Sequence, residues 1–340
     1  MGPLPPSADD RLIWDMWESQ FRLPVATVAD EMGTFRALGS APLTTAELAK
    51  EIGADERALS IHLAALSSSG LVNKRDGKWT ASPDARTWLH PDAKGYWGGF
   101  LFRFRESNPL HAQLLETLKT GTRPANVESG GPEWERGHMS QQVAERIAKF
   151  MHAHSLAPAR GAACQAEFAN IERLMDIGCG SGVYGIEIAR AHPRMQVTLM
   201  DLKEMCTEAA KFVEDEGLTG RISTAPVNMF EQEWPEGHDA HFFANVFHDW
   251  SEETNRLIAQ KSFAALPSGG RIFLSEILMD DDGTGPWYAA AFSLLMLQGT
   301  LGKQYSLPEF RAVLESVGFC DVQAARTGGG YYSLVSATKP

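Results

Sequence analysis

Asp176-Ile177-Gly178-Cys179-Gly180-Ser181-Gly182 follows the apolar pair Leu174-Met175 and runs into the amphipathic stretch Val183–Ala191, so a short strand passes through a glycine turn into a helix. Glycines let the strand leave tightly and let backbone N–H groups approach a ligand with no side chain in the way. The run lacks the glycine-lysine-serine or threonine ending of a phosphate loop, which argues against ATP hydrolysis. It differs from a dinucleotide fingerprint in its compact glycines and in carrying Asp176 on the first strand itself. Asp201 ends the next apolar strand, Val197-Thr198-Leu199-Met200. A carboxylate there can accept hydrogen bonds from both ribose hydroxyls. The pair points to an adenosyl ligand, although spacing alone leaves NAD open.

Working outward, residues 240–246 and 271–275 read as further buried strands, the second after the turn Pro267-Ser268-Gly269-Gly270. Strands alternating with amphipathic helices predict an α/β fold, a mostly parallel sheet covered on both faces. The active crevice of such a sheet lies at the carboxyl ends of its strands. A chain of 340 residues exceeds the usual size of one core, and we expect two domains, 1–165 and 166–340. The first is mainly helical. Residues 12–38 carry a helical apolar pattern interrupted at Pro24; Thr44 or Thr45 with Glu47 caps a short helix ending at Gly53, and Asp55 caps the next. Asp76-Gly77 then marks a hairpin. This order predicts a winged helix-turn-helix unit. Its presumed second helix carries Asp55, Glu56, Arg57 and His62 without a basic array, so packing is favoured over DNA binding.

The remaining composition bounds the partners. With 44% hydrophobic and 22% charged residues the chain is a folded protein, and its net charge of -12 opposes nucleic acid or an anionic membrane as partner. Cys164, Cys179, Cys206 and Cys320 have no metal-site spacing, residues 1–10 lack a signal pattern, and no run is long enough to span a bilayer. We expect a cytoplasmic protein with no membrane partner. No metal site is expected: His248-Asp249 lacks a nearby ligand constellation, Asp249 is a candidate helix cap before Ser251-Glu252-Glu253, and Asp280-Asp281-Asp282-Gly283 reads as a polar turn. The aromatic run Trp97, Phe100, Phe102 and Phe104 suits helix packing, and Arg103 and Arg105 beside it are candidates to meet an acidic substrate. His152 and His154, two apart, do not share a helix face.

An ordered set of motifs carries a resemblance. It comprises the 176–182 loop, Asp201, Asn228-Met229-Phe230, Phe247-His248-Asp249-Trp250-Ser251-Glu252-Glu253, Leu266-Pro267-Ser268-Gly269-Gly270, Glu276 and Ser306-Leu307-Pro308-Glu309-Phe310. The chain resembles the class I S-adenosylmethionine-dependent methyltransferases, with a Rossmann-like catalytic domain, and more narrowly the two-domain small-molecule O-methyltransferases. The resemblance implies S-adenosylmethionine as cofactor, held by Asp176, Gly178, Gly180, Asp201, Leu202, Asn228, Met229 and Phe230. Gly178 and Gly180 would border its methionine part, Asp201 the ribose, and Met229 and Phe230 the adenine. Asn228 stands where the family often has aspartate. The resemblance makes His248 the general base for a hydroxyl acceptor, supported by Glu276. Gln304 stands where many members have a second glutamate, and an amide cannot match a carboxylate in stabilising an imidazolium. The acceptor pocket would draw on Phe100, Phe104, Arg103, Arg105, His152, Met296 and Gln304.

The departure at Gln304 keeps a second acceptor in view. Length and the helical insertion are compatible with the marine bacterial enzymes that S-methylate 4-methylthio-2-hydroxybutyrate towards dimethylsulfoniopropionate. Such a thioether has no proton to lose, so His248 would position it, with Arg103 or Arg105 on its carboxylate. A DNA-binding protein built on an inactive methyltransferase domain is a third class. The resemblance also implies a homodimer packed through the N-terminal region, with Trp14, Trp17, Phe21 and Leu38 on the shared face.

Overall fold

The computed structural model describes residues 10–101, 103, 105, 107–124 and 134–340. By contact the described chain forms two compact units, one of residues 10–12, 134–278 and 307–340, the other of residues 13–124 and 279–306. The long helix 141–163 thus belongs with the sheet, and 279–306 joins the N-terminal segment, where the sequence reading draws a single boundary at 165.

In the N-terminal unit the helices are α1 (Arg11–Glu18), α2 (Arg22–Met32), α3 (Thr34–Ser40), α4 (Thr45–Ile52) and α5 (Glu56–Ser68). The helical pattern of residues 12–38 breaks at a 3-10 turn, Ser19–Phe21, and at Gly33 in the left-handed region, while Pro24 sits in the first turn of α2. A proline there removes an N–H that has no partner within the helix. Thr44 caps α4: its hydroxyl accepts from the Glu47 N–H and the Glu47 carboxylate accepts from the Thr44 N–H. Asp55 accepts from Ala58 N–H at the start of α5. The antiparallel pair β1 (Val72–Arg75) and β2 (Lys78–Ala81) turns through Asp76 and Gly77, both at positive φ as a tight hairpin needs.

Three more helices follow, α6 (Pro83–Trp88), α7 (Gly98–Leu101) and α8 (Pro109–Thr120). Trp14, Phe21 and Leu38 are buried in the chain itself, so these three cannot form the shared face expected of them. Trp17, the fourth, is exposed, as are Leu12, Ile13 and Met16 on the same helix α1.

In the other unit, the sheet is built of β3 (Arg173–Ile177), β4 (Gln196–Asp201), β5 (Ile222–Pro226), β6 (Ala240–Ala244), β7 (Arg271–Glu276), β8 (Cys320–Arg326) and β9 (Ser333–Thr338). Strand order is β5-β4-β3-β6-β7-β9-β8, parallel from β5 to β7 and antiparallel at β9 and β8. Strands β3, β6 and β7 are buried almost end to end without alternation, as strands covered on both faces are. The cover comes from α9 (Gln141–Ala163) packed on α10 (Val183–Ala191) and α11 (Lys203–Asp215), and from α12 (Glu252–Ala265) packed on α14 (Leu307–Ser316). Helix α13 (Trp287–Gly299) belongs to the N-terminal unit, where its Ala290, Ala291, Leu294 and Leu297 join the core of α2 and α5.

The strand expected over 240–246 stops at Ala244, because Asn245 takes a φ of 54° and turns the chain out of the sheet. Among the described residues no helix is long and apolar enough to cross a membrane.

Candidate active site

The glycine loop leaves β3 and is fastened by carboxylates. Asp176, at the end of β3, accepts from the Gly185 N–H in the first turn of α10 at 3.1 Å. Asp201, at the end of β4, accepts from Gly180 N–H at 2.9 Å through one oxygen and from Leu202 N–H at 2.7 Å through the other. Burial pushes Asp176 up to about 7 and Asp201 up to about 6, in each case against the opposing pull of these N–H groups. Gly185 is a requirement the sequence reading missed: a Cβ there would lie 2.6 Å from Leu199 and 3.0 Å from Val197, so α10 can only approach β4 this closely without one.

Gly180 differs from its neighbours. It has a φ of 55° and nothing lies within 4 Å of where its Cβ would be, whereas a Cβ on Gly178 would meet Val246 at 2.8 Å. Beside this open space the Ser181 hydroxyl is buried without a hydrogen-bond partner. Open room over a positive-φ glycine and an unmet polar atom suit a ligand lying along the loop.

The adenine-side segment is also held from a distance. Asn228 Oδ1 accepts from Phe230 N–H at 3.0 Å, so the residue closes its own turn. Lys261 on α12 donates to the carbonyls of Met229, Phe230 and Gln232. Phe230 stands edge to face with Trp250, which does the same with Trp134. Leu202 packs with Trp134 against Met139, Ala144 and Met205. Trp134 and Lys261 carried no motif and were not foreseen.

His248 lies in the 3-10 turn Phe247–Asp249 that follows β6. It is buried, with Nδ1 3.4 Å from Glu276 Oε2 and Nε2 3.6 Å from Asp249 Oδ1. Glu276 Oε1 accepts from the N–H groups of Val246 and Phe247, and Asn255 Nδ2 donates to the Phe247 carbonyl. Glu276 therefore holds the turn as well as facing the ring. Burial pushes its carboxyl up to about 8, aided by the neighbouring Asp249 and opposed by the backbone N–H groups of the turn. Asp249 does not cap α12; Ser251 does, accepting from Thr254 N–H.

The other described site candidates belong to the helical layer over the sheet or to the N-terminal unit. His152 stacks on Phe212 with ring centroids 4.2 Å apart. Phe212 is the tenth residue of α11, about 14 Å along the helix from the strand edge, so His152 is a packing residue of the helical layer. Arg105 is ion-paired with Asp30 and Glu31 in its own unit, so it is engaged within the fold. Arg103 is exposed and Phe100 is 54% exposed, in edge contact with Trp97. Met296 and Gln304 are buried in the N-terminal unit, where the Gln304 N–H donates to Ser293 Oγ. Phe104 lies outside the described residues. Among the described residues no three His, Cys, Asp or Glu side chains group as metal ligands.

Comparison with known proteins gives this constellation its family. Residues 111–320 match a model of the O-methyltransferase domain. The chain belongs to the O-methyltransferase family. It is 33% identical over 328 residues, 96% of this chain and 94% of the relative, to the 3-hydroxy-5-methyl-1-naphthoate 3-O-methyltransferase of Streptomyces sahachiroi. Its fold is similar to an O-methyltransferase family 2 protein from Planctomyces limnophilus solved with apigenin, with TM-score 0.85, 22% identity and full coverage of both chains. It is also similar to human N-acetylserotonin methyltransferase solved with S-adenosylmethionine, with TM-score 0.61, 23% identity and 99% coverage of each. The protein is an S-adenosylmethionine-dependent methyltransferase, and the open glycine loop with Asp201 beside it fits that cofactor.

Proposed function

We propose that this methyltransferase methylates a hydroxyl group on a small aromatic acceptor, with His248 as general base. The observation that carries the reading is the buried His248 between two carboxyl groups at the carboxyl edge of the sheet. When bound, the cofactor supplies a methyl group on a cationic sulfur that departs as a thioether. Glu276, facing Nδ1, favours the tautomer that keeps the proton there and leaves the Nε2 lone pair to take the acceptor's proton. In this reading Gly178 and Gly180 border the methionine part, Asp201 accepts from the ribose, and Leu202, Met229 and Phe230 flank the adenine. Asp176 and Asn228 act through the backbone of the loops they fasten. Phe100, Arg103, Met296 and Gln304 are the acceptor-side candidates from the N-terminal unit. The naphthoate O-methyltransferase relative supports an aromatic hydroxyl over a thioether.

The test offers the purified protein and S-adenosylmethionine, with a chelator, separate phenolic acids, fused-ring hydroxy acids, hydroxyindoles and short thioether hydroxy acids. Mass spectrometry follows the demethylated cofactor and the product. We expect an O-methylated aromatic; turnover only of the thioether would assign the S-methyltransferase reading instead, and carbon or nitrogen methylation would sink both.

The N-terminal unit serves assembly in this reading. The α4–α5 pair with its hairpin is a winged-helix unit used for packing, and the exposed Leu12, Ile13 and Met16 supply apolar surface to a second copy. Light scattering across a concentration series should give a dimer mass; a 37.3 kDa species throughout would reject it. No nucleic acid is retained as partner, and the cytoplasm is the expected compartment.

A further inference from the structure

One connection between the parallel strands carries no helix. Helix α10 lies between β3 and β4, α11 between β4 and β5, and α12 between β6 and β7, but residues 227–239 run from β5 to β6 without one. Val197 and Ile222 point into the core with α10 and α11. Side chains alternate along a strand, so Thr198 and Ser223, paired across β4 and β5, face the other way. That face opens into a cleft of about 350 Å³ at the amino ends of β3, β4 and β5, a size that suits a small molecule. It lies at the opposite edge of the sheet from the glycine loop and His248.

The cleft is positive in a chain of net charge -12. Arg173, Thr198, Arg221, Ser223 and His238 line it, and among the described residues no acidic side chain does. Arg221 Nη1 donates to the carbonyls of Ala189, His192 and Met195, which anchors the guanidinium by one nitrogen. Arg173 lies against Gly237, its Nη1 3.1 Å from where a Cβ would stand. Among the described residues its guanidinium has neither a hydrogen bond nor an ion pair. Asp239, the carboxylate of this region, accepts instead from the N–H groups of Glu172 and Arg173.

His238 is buried, with Nδ1 3.2 Å from the Pro235 carbonyl and Nε2 2.9 Å from the Thr198 hydroxyl. A carbonyl only accepts, so Nδ1 carries the proton and Thr198 donates to Nε2. Burial holds the ring below its usual pKa; the Pro235 carbonyl and Asp239 oppose this, and the Arg173 charge adds to it. The imidazole is therefore neutral, and the charge of the cleft belongs to the two arginines.

We propose that this cleft is a second ligand site, which takes a small molecule by a phosphate group held by Arg173, Arg221 and the Ser223 hydroxyl. These donors come from the start of β3, the turn before β5 and β5 itself. A tetrahedral oxyanion can meet all three at once, whereas a planar carboxylate presents only two oxygens. Titration calorimetry on the full chain, saturated with S-adenosylhomocysteine so that the cofactor site is filled, should compare inorganic phosphate, glycerol 3-phosphate and succinate.

Both phosphates should bind with one site per chain, and succinate at least about tenfold more weakly. Arg173→Gln should weaken glycerol 3-phosphate about tenfold or more. Ser223→Asp, which sets a carboxylate in the cleft, should abolish binding, with an unchanged melting temperature showing that β5 is intact. Arg146→Gln removes an exposed arginine of α9 outside the cleft and should change nothing. No saturable binding of either phosphate, affinity unchanged in Arg173→Gln, or an equal loss in Arg146→Gln overturns the proposal. Succinate bound as tightly as glycerol 3-phosphate overturns the assignment to phosphate.

Discussion

The glycine loop and the His248 turn lie at the same edge of one sheet and are fastened in different ways. The loop is tied by Asp176 and Asp201, carboxylates on the two strands that flank it, each reaching a backbone N–H 9 to 21 residues away. The turn is tied by Glu276, about 30 residues on, by Asn255 on the following helix, and through Asn245 by Tyr332, 87 residues on. The loop is a local device of strand, turn and helix. The turn takes its partners from β7, from the helix that follows the turn itself and from Tyr332 just before β9. Binding is thus carried by the part that its own sequence organises, and proton transfer by the part that the whole sheet organises.

The sharpest way to break this division is to exchange its consequences. His248→Ala should lower kcat/KM by roughly 10² to 10⁴ while the affinity for S-adenosylhomocysteine holds. Gly180→Val, which fills the open space and strains a φ of 55°, should instead weaken that affinity by at least about tenfold. Calorimetry beside steady-state kinetics decides it; a histidine variant that loses cofactor affinity as badly as the glycine variant removes the distinction.

A smaller effect concerns Glu276, whose carboxyl titrates at about 8 in the fold against an ordinary 4.5. The fold binds that proton more tightly than the unfolded chain does. The stabilisation is therefore complete below 4.5 and is lost as pH rises through 8. Support for an imidazolium at His248 needs the ionised form, so activity should move the other way, rising towards pH 8. Glu276→Gln should flatten both dependences. A variant whose melting temperature and rate follow pH as the parent does would clear Glu276 of either role.

The smallest effect belongs to the loop's foundation. Gly185→Ala forces a methyl against Leu199 and Val197 and should cost about 1–3 kcal/mol of stability, read as a lowered melting temperature. Cofactor affinity should survive in the folded fraction. A gain in stability would mean that α10 shifts freely on the sheet.

Legibility in the sequence follows the same division. The loop, Asp201 and the strands β3, β4, β6 and β7 were readable because each combines an apolar run with its own stop signal. The hairpin and both caps of the helix pair were readable for the same reason. Strand β5 was not, since its burial is confined to Ile222 and two half-buried residues at the sheet's edge. Strands β8 and β9 pair antiparallel, which no βαβ alternation announces. His248 and Glu276 came from the resemblance. Asn245 and Lys261 came from neither source, because what makes them matter is a backbone angle and a set of carbonyls that only the folded chain brings together. The partners of Arg105 are hidden for a related reason: they are carboxylates 74 and 75 residues upstream in its own unit.

The core of the N-terminal unit closes over Ala290, Ala291, Leu294 and Leu297, residues that emerge only after the strands β3 to β7. On the ribosome, α2 and α5 must therefore wait with that surface uncovered while the intervening sheet is made. A chain truncated before residue 279 lacks the helix that completes its first segment, and the apolar surface that α13 covers stays open while the catalytic strands are being synthesised.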